Sequence, residues 1–526
     1  MYLLFDLPKQ LIQLNVPITG ATTITRALIE TIITRLSATK VVMITTADTD
    51  TFEAYRQTLA GADIPIYQTA YTDLEALISK EGCPDLAVVP DFQLDFLLHF
   101  RNQHRLHLPI IHFTHSIQEP NQIAAIGTLL TYGSLLDSIV FPSESCRTSF
   151  NQFVATQYPG QSCPLDQRVI PFGIDLEKFP TKSDKKTLRK AYNLPEEKVI
   201  FLHLSRLNPF TKMDVFPLIR DFEQSLGNEP DALLLIVGEV HSKSYADELH
   251  KYVKEAHLET HIQFIHDLDQ SRVHELFLLA DVFTSMSDNS GETFGLTVVE
   301  AMAAELPVVI TDWNGYKELI DDAKDGYKIP TYWMEEAAEF NYWFNALSII
   351  NFGDRFIQSV AYDHPYCQRV LRDLYHDQNL RRTLGRHARL SAEKKFSTEV
   401  MMTRCETYFK NRIQAAKAAP PQTFKGSLTN DFGAGYRHFP TRLLSLKDTY
   451  RLSPEGHHIV DGEKNIPIME KHIRVYKEMV PVLTSLRAGA KTGEKIMTEI
   501  NAEKPSLSFT LMYLLKHTII EVTTPN

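Results

Sequence analysis

Residues 285–310 read SMSDNSGETFGLTVVEAMAAELPVVI, and this stretch decides the fold. Asp281, Val282, Phe283 and Thr284, just upstream, predict a buried strand running into a polar loop. Leu296 to Ala304 are good helix formers, and Pro307 stops any continuation. A strand therefore feeds a loop, and the loop opens a helix. The amides of Phe294, Gly295, Leu296 and Thr297 would stand at the positive end of that helix, where a phosphate is favoured. Gly295 would let a ligand approach the backbone closely. Glu292, just before the helix, is suited to accept hydrogen bonds from a neutral polyol, and Glu300, ~1.5 Å per residue further along the axis, to grip a second diol. A molecule carrying sugar, phosphate and ribose fits this order of groups. Two glutamates at this spacing could also be a capping acid and a solvated acid; the surrounding ETFGLTVVEAMA favours the ligand site.

Working outward, strands and helices alternate. The helical spacing of Ile24, Leu28, Ile32 and Leu36 precedes the strand-like VVMITT at 41–46, and LAVVPD (86–91), PIIHFTH (109–115), SIVFPS (138–143) and RVIPFGID (168–175) follow. A second series starts at KVIFLHLSR (198–206) and continues through ALLLIVGE, HIQFIHD, DVFTSMS and LPVVITD. Each series predicts a doubly wound parallel sheet, with substrate bound between the two at the carboxyl ends of the strands. The polar FPTKSDKKTLRK, 179–190, is the expected hinge region.

At 526 residues the chain is too long for one core. Its 44% hydrophobic and 23% charged residues are ordinary for a globular protein. A formal charge of −11 argues against general nucleic-acid binding and against a strongly cationic membrane face. Cys83, Cys146, Cys163, Cys367 and Cys405 form no CxxC pair, which points to a reducing cytoplasm and away from structural zinc. MYLLFDLPKQ, broken by Asp6 and Pro8, does not read as a signal peptide, and no apolar run approaches the ~20 residues of a membrane span.

Taken with SRLNPFTKMD (205–214) and VIPFGID (169–175), the segment GETFGLTVVEAMAAELPVV resembles the E-x7-E signature of family 4 retaining glycosyltransferases. The resemblance covers about residues 10–415 and implies a GT-B fold: two Rossmann-like doubly wound α/β domains facing across a cleft. Its boundaries would be 1–178 for the acceptor-side domain, 190–400 for the nucleotide-sugar donor domain and 401–420 for a closing helix. By the same resemblance, Arg206 and Lys212 bind the donor diphosphate, a task that suits a bidentate guanidinium beside a point-charge ammonium. His115 matches a histidine that faces the reacting sugar, with His112 as its nearby rival. Gly20, in PITGATT, matches a glycine loop near the donor phosphates, although the usual Gly-Gly pair is Thr19-Gly20 here. Gly238 would stand where backbone approaches the donor. Leu268, in HDLD, falls in the segment whose backbone holds the nucleobase, where His266 replaces the family's glycine. SMSDNSGE is about two residues longer than the commonest family version.

The resemblance implies transfer of a sugar from a nucleotide sugar, a UDP-sugar favoured, to an unidentified acceptor, with no cofactor and no metal required. A nucleotide-sugar epimerase, a glycan phosphorylase and a nonenzymatic sugar-nucleotide sensor are the alternatives on such a fold. Beyond the Pro/Gly-rich AAPPQTFKGSLTNDFGAGYRHFP, helices are expected at 468–488, 491–503 and 506–516, with TIIEVT as a closing strand. This mainly helical extension, 430–526, reads as winged-helix-like or as a packing surface, and leaves self-association and peripheral membrane contact open.

Overall fold

The computed structural model describes residues 2–7, 12, 25–26, 28–29, 32–33, 40–59, 65–70, 73–90, 96–117, 120–180, 184–266, 268–334, 353, 356–420, 444–463 and 476–523. Gly20 lies outside the described residues, as does most of the Pro/Gly-rich stretch.

Short strands that are apolar throughout have both faces to bury, and a parallel sheet covered by helices is where such strands fit. The first sheet holds seven: β1 Tyr2–Asp6, β2 Lys40–Ile44, β3 Ile66–Thr69, β4 Leu86–Val89, β5 Ile110–Phe113, β6 Ser138–Phe141 and β7 Asp166–Val169. They lie in the order β3-β2-β1-β4-β5-β6-β7, every pair parallel. The N-terminal segment, weighed above as a signal peptide, is thus an interior strand between β2 and β4. The second sheet runs β10-β9-β8-β11-β12-β13, again parallel throughout. Its strands are β8 Val199–Leu204, β9 Ala232–Val237, β10 Ile262–Ile265, β11 Val282–Ser285, β12 Val308–Thr311 and β13 Gly326–Ile329. Strand order reverses at β1/β4 and at β8/β11, and in open α/β sheets ligands bind outside the carboxyl ends at such points.

RVIPFGID is only in part a strand: β7 ends at Val169, and Phe172 and Ile174 pack into the core of the second domain. The expected hinge at 179–190 contains a helix, Lys185–Ala191, tied to that domain. There Lys185 Nζ lies 3.1 Å from Asp281 Oδ1, and Arg189 Nη2 lies 2.6 Å from Asp281 Oδ2. The chain instead crosses between domains at Gly173–Ile174 and returns beside itself, where Ile174 N donates to Phe396 O and Thr398 N to Ile174 O, both at 2.9 Å. Helix Gln378–Phe396 precedes the return and helix Thr398–Ala418 follows it. Met401, Met402, Cys405, Phe409 and Ile413 of the second helix join Leu3, Phe5 and Val88 in the core of the first domain. The closing helix is therefore placed by its own apolar face. A two-strand pair, β14 Thr331–Tyr332 with β15 Ala361–Tyr362, lies at the edge of the second domain.

Residues 429–526 form a separate compact unit. It has its own core, including Tyr450, Val482, Leu486, Ile496, Leu507 and Leu514. Helices Tyr476–Leu486, Gly493–Ile500 and Lys504–Lys516 correspond to the three expected, and β18 Ile520–Thr523 to TIIEVT. The sequence reading missed β16 Thr449–Leu452 and helix Pro454–Val460. β16 is the middle strand of an antiparallel sheet, between β17 Lys491–Thr492 and β18. The turn between the last two helices passes through Asn501 at φ 51°, a left-handed position that asparagine tolerates.

Candidate active site

β11 ends at Ser285 and a ten-residue loop reaches the helix Leu296–Ala303, whose N-cap is Gly295 at φ 109°. A Cβ at Gly295 would overlap the Tyr316 ring, so both conformation and packing demand glycine there. The first amides of this helix have no intrahelical acceptor. The loop is fastened along its length: Thr311 Oγ1 donates to Ser287 O at 2.6 Å, Trp313 Nε1 to Asn289 O at 2.8 Å, and Asn314 Nδ2 to Ser290 O at 2.8 Å. Asp288 and Asn289 are buried within it, and burial raises the Asp288 carboxyl well above the usual carboxylate range.

This loop also sets the cation opposite. Asn289 Nδ2 donates to Lys212 O, and Asp288 Oδ2 accepts from Asp214 N at 3.3 Å. Lys212 Nζ then lies 3.1 Å from Glu292 Oε2, with side-chain exposures of 29% and 16%. Arg206 follows β8, the neighbour of β11, and is half-buried; its carbonyl accepts from Asn208 N at 2.9 Å, while its side chain has no hydrogen bond or ion pair among the described residues. Glu300 is half-buried; loss of hydration pushes its carboxyl up to about 7, against the pull of the Lys178 ammonium. Neither glutamate is openly solvated: Glu292 is paired and largely covered, and Glu300 is desolvated.

His115 comes from the first domain, directly after β5. Its Nε2 lies 3.1 Å from Thr25 Oγ1 and 3.0 Å from Pro90 O, and its ring packs on Phe172 at 5.4 Å. Its carbonyl accepts from the Thr293 hydroxyl, so the residue after Glu292 touches the candidate histidine of the opposite domain. Phe172 in turn meets Phe294 edge-on at 5.3 Å. The three sequence segments that carried the resemblance therefore converge. His112, the rival, is buried in β5 with Nε2 lacking a hydrogen-bond partner among the described residues, and burial lowers its imidazole to about 4.

The Phe294 side chain is core, packed against Phe172 and Phe396, which leaves only its backbone for a ligand. Leu296 and Thr297 are half-exposed on the first helical turn. At Gly238 a Cβ would overlap the Ser205 carbonyl oxygen, so the glycine lets the ends of β8 and β9 close up. Leu268 is half-buried against the core of the second domain. His266 Nδ1 donates to Gly238 O at 3.2 Å, and its Nε2 lies 2.9 Å from His250 Nε2. Asp288, Asn289 and Asn314 escaped the sequence reading; the extra length of SMSDNSGE was the one signal that pointed to them.

Residues 184–345 match the family model "Glycosyl transferases group 1". That span contains Arg206, Lys212, Glu292 and Glu300 but not His115. The chain is 26% identical over 233 residues to an N-acetyl-alpha-D-glucosaminyl L-malate synthase of Bacillus anthracis, covering 44% of this chain and 51% of that protein. It is 27% identical over 178 residues to a phosphatidyl-myo-inositol mannosyltransferase of Mycobacterium tuberculosis, covering 34% of this chain and 43% of that one. The chain spans about half or less of the length of these curated relatives. Among solved structures it is similar to Anabaena HepE in complex with UDP, with a TM-score of 0.56 at 18% identity over 78% of this chain and 99% of that one. It is also similar to sucrose-phosphate synthase of Thermosynechococcus elongatus, with a TM-score of 0.55 at 15% identity over 79% and 99%. These likenesses establish the GT-B fold.

Proposed function

We propose that the chain is a retaining glycosyltransferase of the family 4 type. It moves a sugar from a nucleotide-sugar donor to an acceptor, and a UDP-sugar is the donor to try first on family frequency. The observation that carries the reading is Arg206: a half-buried residue just past the end of β8, whose guanidinium has no hydrogen-bond or ion-pair partner among the described residues, invites an anion. Lys212 and the amides of Gly295, Leu296 and Thr297 complete a cationic surround for a diphosphate. Glu292 orients the sugar hydroxyls, Glu300 accepts from the ribose diol, and His115 faces the sugar from the first domain.

In the proposed reaction the anomeric C–O bond to the diphosphate breaks while the acceptor oxygen bonds to the same face. The acceptor proton passes to the departing phosphate oxygen. Charge grows on the leaving group, so preformed donors act on the transition state more than on the ground state; each is worth ~3 kcal/mol in a water-poor cleft. The acceptor role of the first domain and a cytoplasmic setting belong to this proposal.

Thermal shift of the purified chain against UDP-, GDP- and ADP-sugars tests donor binding, since a ligand of the folded state raises apparent stability by mass action. Donor hydrolysis and the anomeric configuration of the product test the chemistry. A chain whose melting temperature no nucleotide sugar raises, and which hydrolyses none, is not this enzyme.

A further inference from the structure

The two α/β domains also meet at a carboxylate that donor chemistry does not call for. Glu318 ends the short turn Asn314–Glu318 that follows β12. Its Oε2 accepts from Glu144 N at 2.8 Å and its Oε1 from Ser145 N at 2.6 Å. Those are the first two amides of helix Glu144–Gln157 in the first domain. Ser145 Oγ adds a bond to Asn314 Oδ1 at 3.2 Å, and Ser143 Oγ takes the Cys146 amide at 3.1 Å. A helix N-terminus leaves amides without intrahelical acceptors and carries partial positive charge, so a carboxylate shared by two of them is a charge-assisted contact.

The other side of this turn holds the loop that carries Glu292. Besides the Trp313 and Asn314 bonds to Asn289 O and Ser290 O, Gly315 N donates to Glu292 O at 3.3 Å. Gly315 lies so close to the Thr293 carbonyl that a Cβ would overlap it. The turn is thus pressed against the Glu292 peptide on one face and capped onto the opposite domain by the other.

We propose that Glu318 is a positioning residue that couples domain closure to the placement of Glu292, an inference that rests on reading the cleft as a transferase site. When the domains part, both carboxylate bonds break together, and the turn loses the anchor that holds it over the Glu292 loop. When they close, the bonds re-form and Thr293 is brought to the His115 carbonyl. Arg206, Lys212 and Glu300 all belong to the second domain, so donor binding does not need the contact and turnover does.

Full-length wild type is compared with Glu318→Ala and Glu318→Gln by hydrogen exchange of the peptide spanning 143–147 without ligand, by melting, and by kcat and donor KM. In Glu318→Ala, exchange at 144 and 145 rises ~10-fold or more, as expected for losing hydrogen bonds to a charged acceptor. kcat falls ~10-fold or more while donor KM stays within ~2-fold, and Glu318→Gln, which keeps an acceptor oxygen, recovers part of both changes. Unchanged exchange at 144–145 overturns the contact. A kcat that stays at the wild-type level, or falls only in step with melting temperature, overturns the coupling. If the wild type transfers from no donor, the function reading fails, while the exchange arm still reports on the contact.

Discussion

Lys212 Nζ stands 3.1 Å from Glu292 Oε2, so the cation beyond β8 and the acid before the Leu296–Ala303 helix satisfy each other. A donor has to separate them, offering its diphosphate to the ammonium and its sugar hydroxyls to the carboxylate. Glu292→Gln keeps the shape and removes the charge. The expected result is a fall in turnover of ~100-fold, with little change in melting because partly exposed ion pairs contribute only ~1 kcal/mol. Steady-state rates at limiting donor, beside a thermal melt, decide it. Wild-type rates in both Glu292→Gln and Glu300→Gln would remove the central assignment.

Arg206 carries a different signature. The residue is half-buried and its side chain has no described partner, so removing it breaks no described hydrogen bond or ion pair. Arg206→Ala should leave stability unchanged or slightly raised while kcat and donor affinity both drop. Lys212→Ala should lower the same two quantities. Arg206→Lys should recover little, since one ammonium cannot reproduce a planar fork on a diphosphate. An effect confined to KM would mean that the cations hold only the ground state.

Glu300 predicts a pH dependence in two opposite directions. Its folded pKa of about 7 lies above its ordinary value of 4.5. Between these values the folded chain keeps a proton that the unfolded chain has lost, so this group's contribution to stability falls as pH rises through that window. Donor affinity should move the other way, because the carboxylate is the better acceptor for a ribose diol. Glu300→Gln should therefore melt higher than wild type at pH 8, match it near pH 4, and bind donor weakly at both. A donor affinity in the wild type that is flat from pH 6 to 8 would separate Glu300 from the ribose.

The strands of the second domain were legible because buried parallel strands are apolar runs with clear ends, and Pro307 and Gly295 mark their helix without ambiguity. β1 was missed because YLLFD is as apolar as any of them but stands at the chain terminus, where a leader is the competing reading. The packing demand at Gly238 was not legible: a sequence shows that a glycine is present, but the crowding atom, Ser205 O, comes from a segment more than thirty residues away. The pairing of Glu292 was illegible for the same cause, since Lys212 and Gly315, which meet it, come from other segments of the chain. The Thr293 to His115 contact joins residues in different domains, and no local pattern encodes it.

The last prediction concerns the C-terminal unit. Residues 429–526 close their own apolar core, with Tyr450 and Leu452 of β16 packed beside Val482, Ile496, Leu507 and Ile520. The helix that returns the chain to the first domain ends earlier, at Ala418. None of Arg206, Lys212, Glu292 and Glu300 lies beyond it. A chain ending at residue 428 should accordingly stay folded, bind nucleotide sugar as the full chain does and hydrolyse donor slowly. It should lose transfer to its natural acceptor, or lose self-association, because an independently cored unit appended to a complete cleft is suited to choosing partners and not to activating the sugar. Donor titration by calorimetry and sedimentation of both chains measure this. A truncated chain that melts cooperatively yet binds no nucleotide sugar would show that the unit supplies part of the donor site.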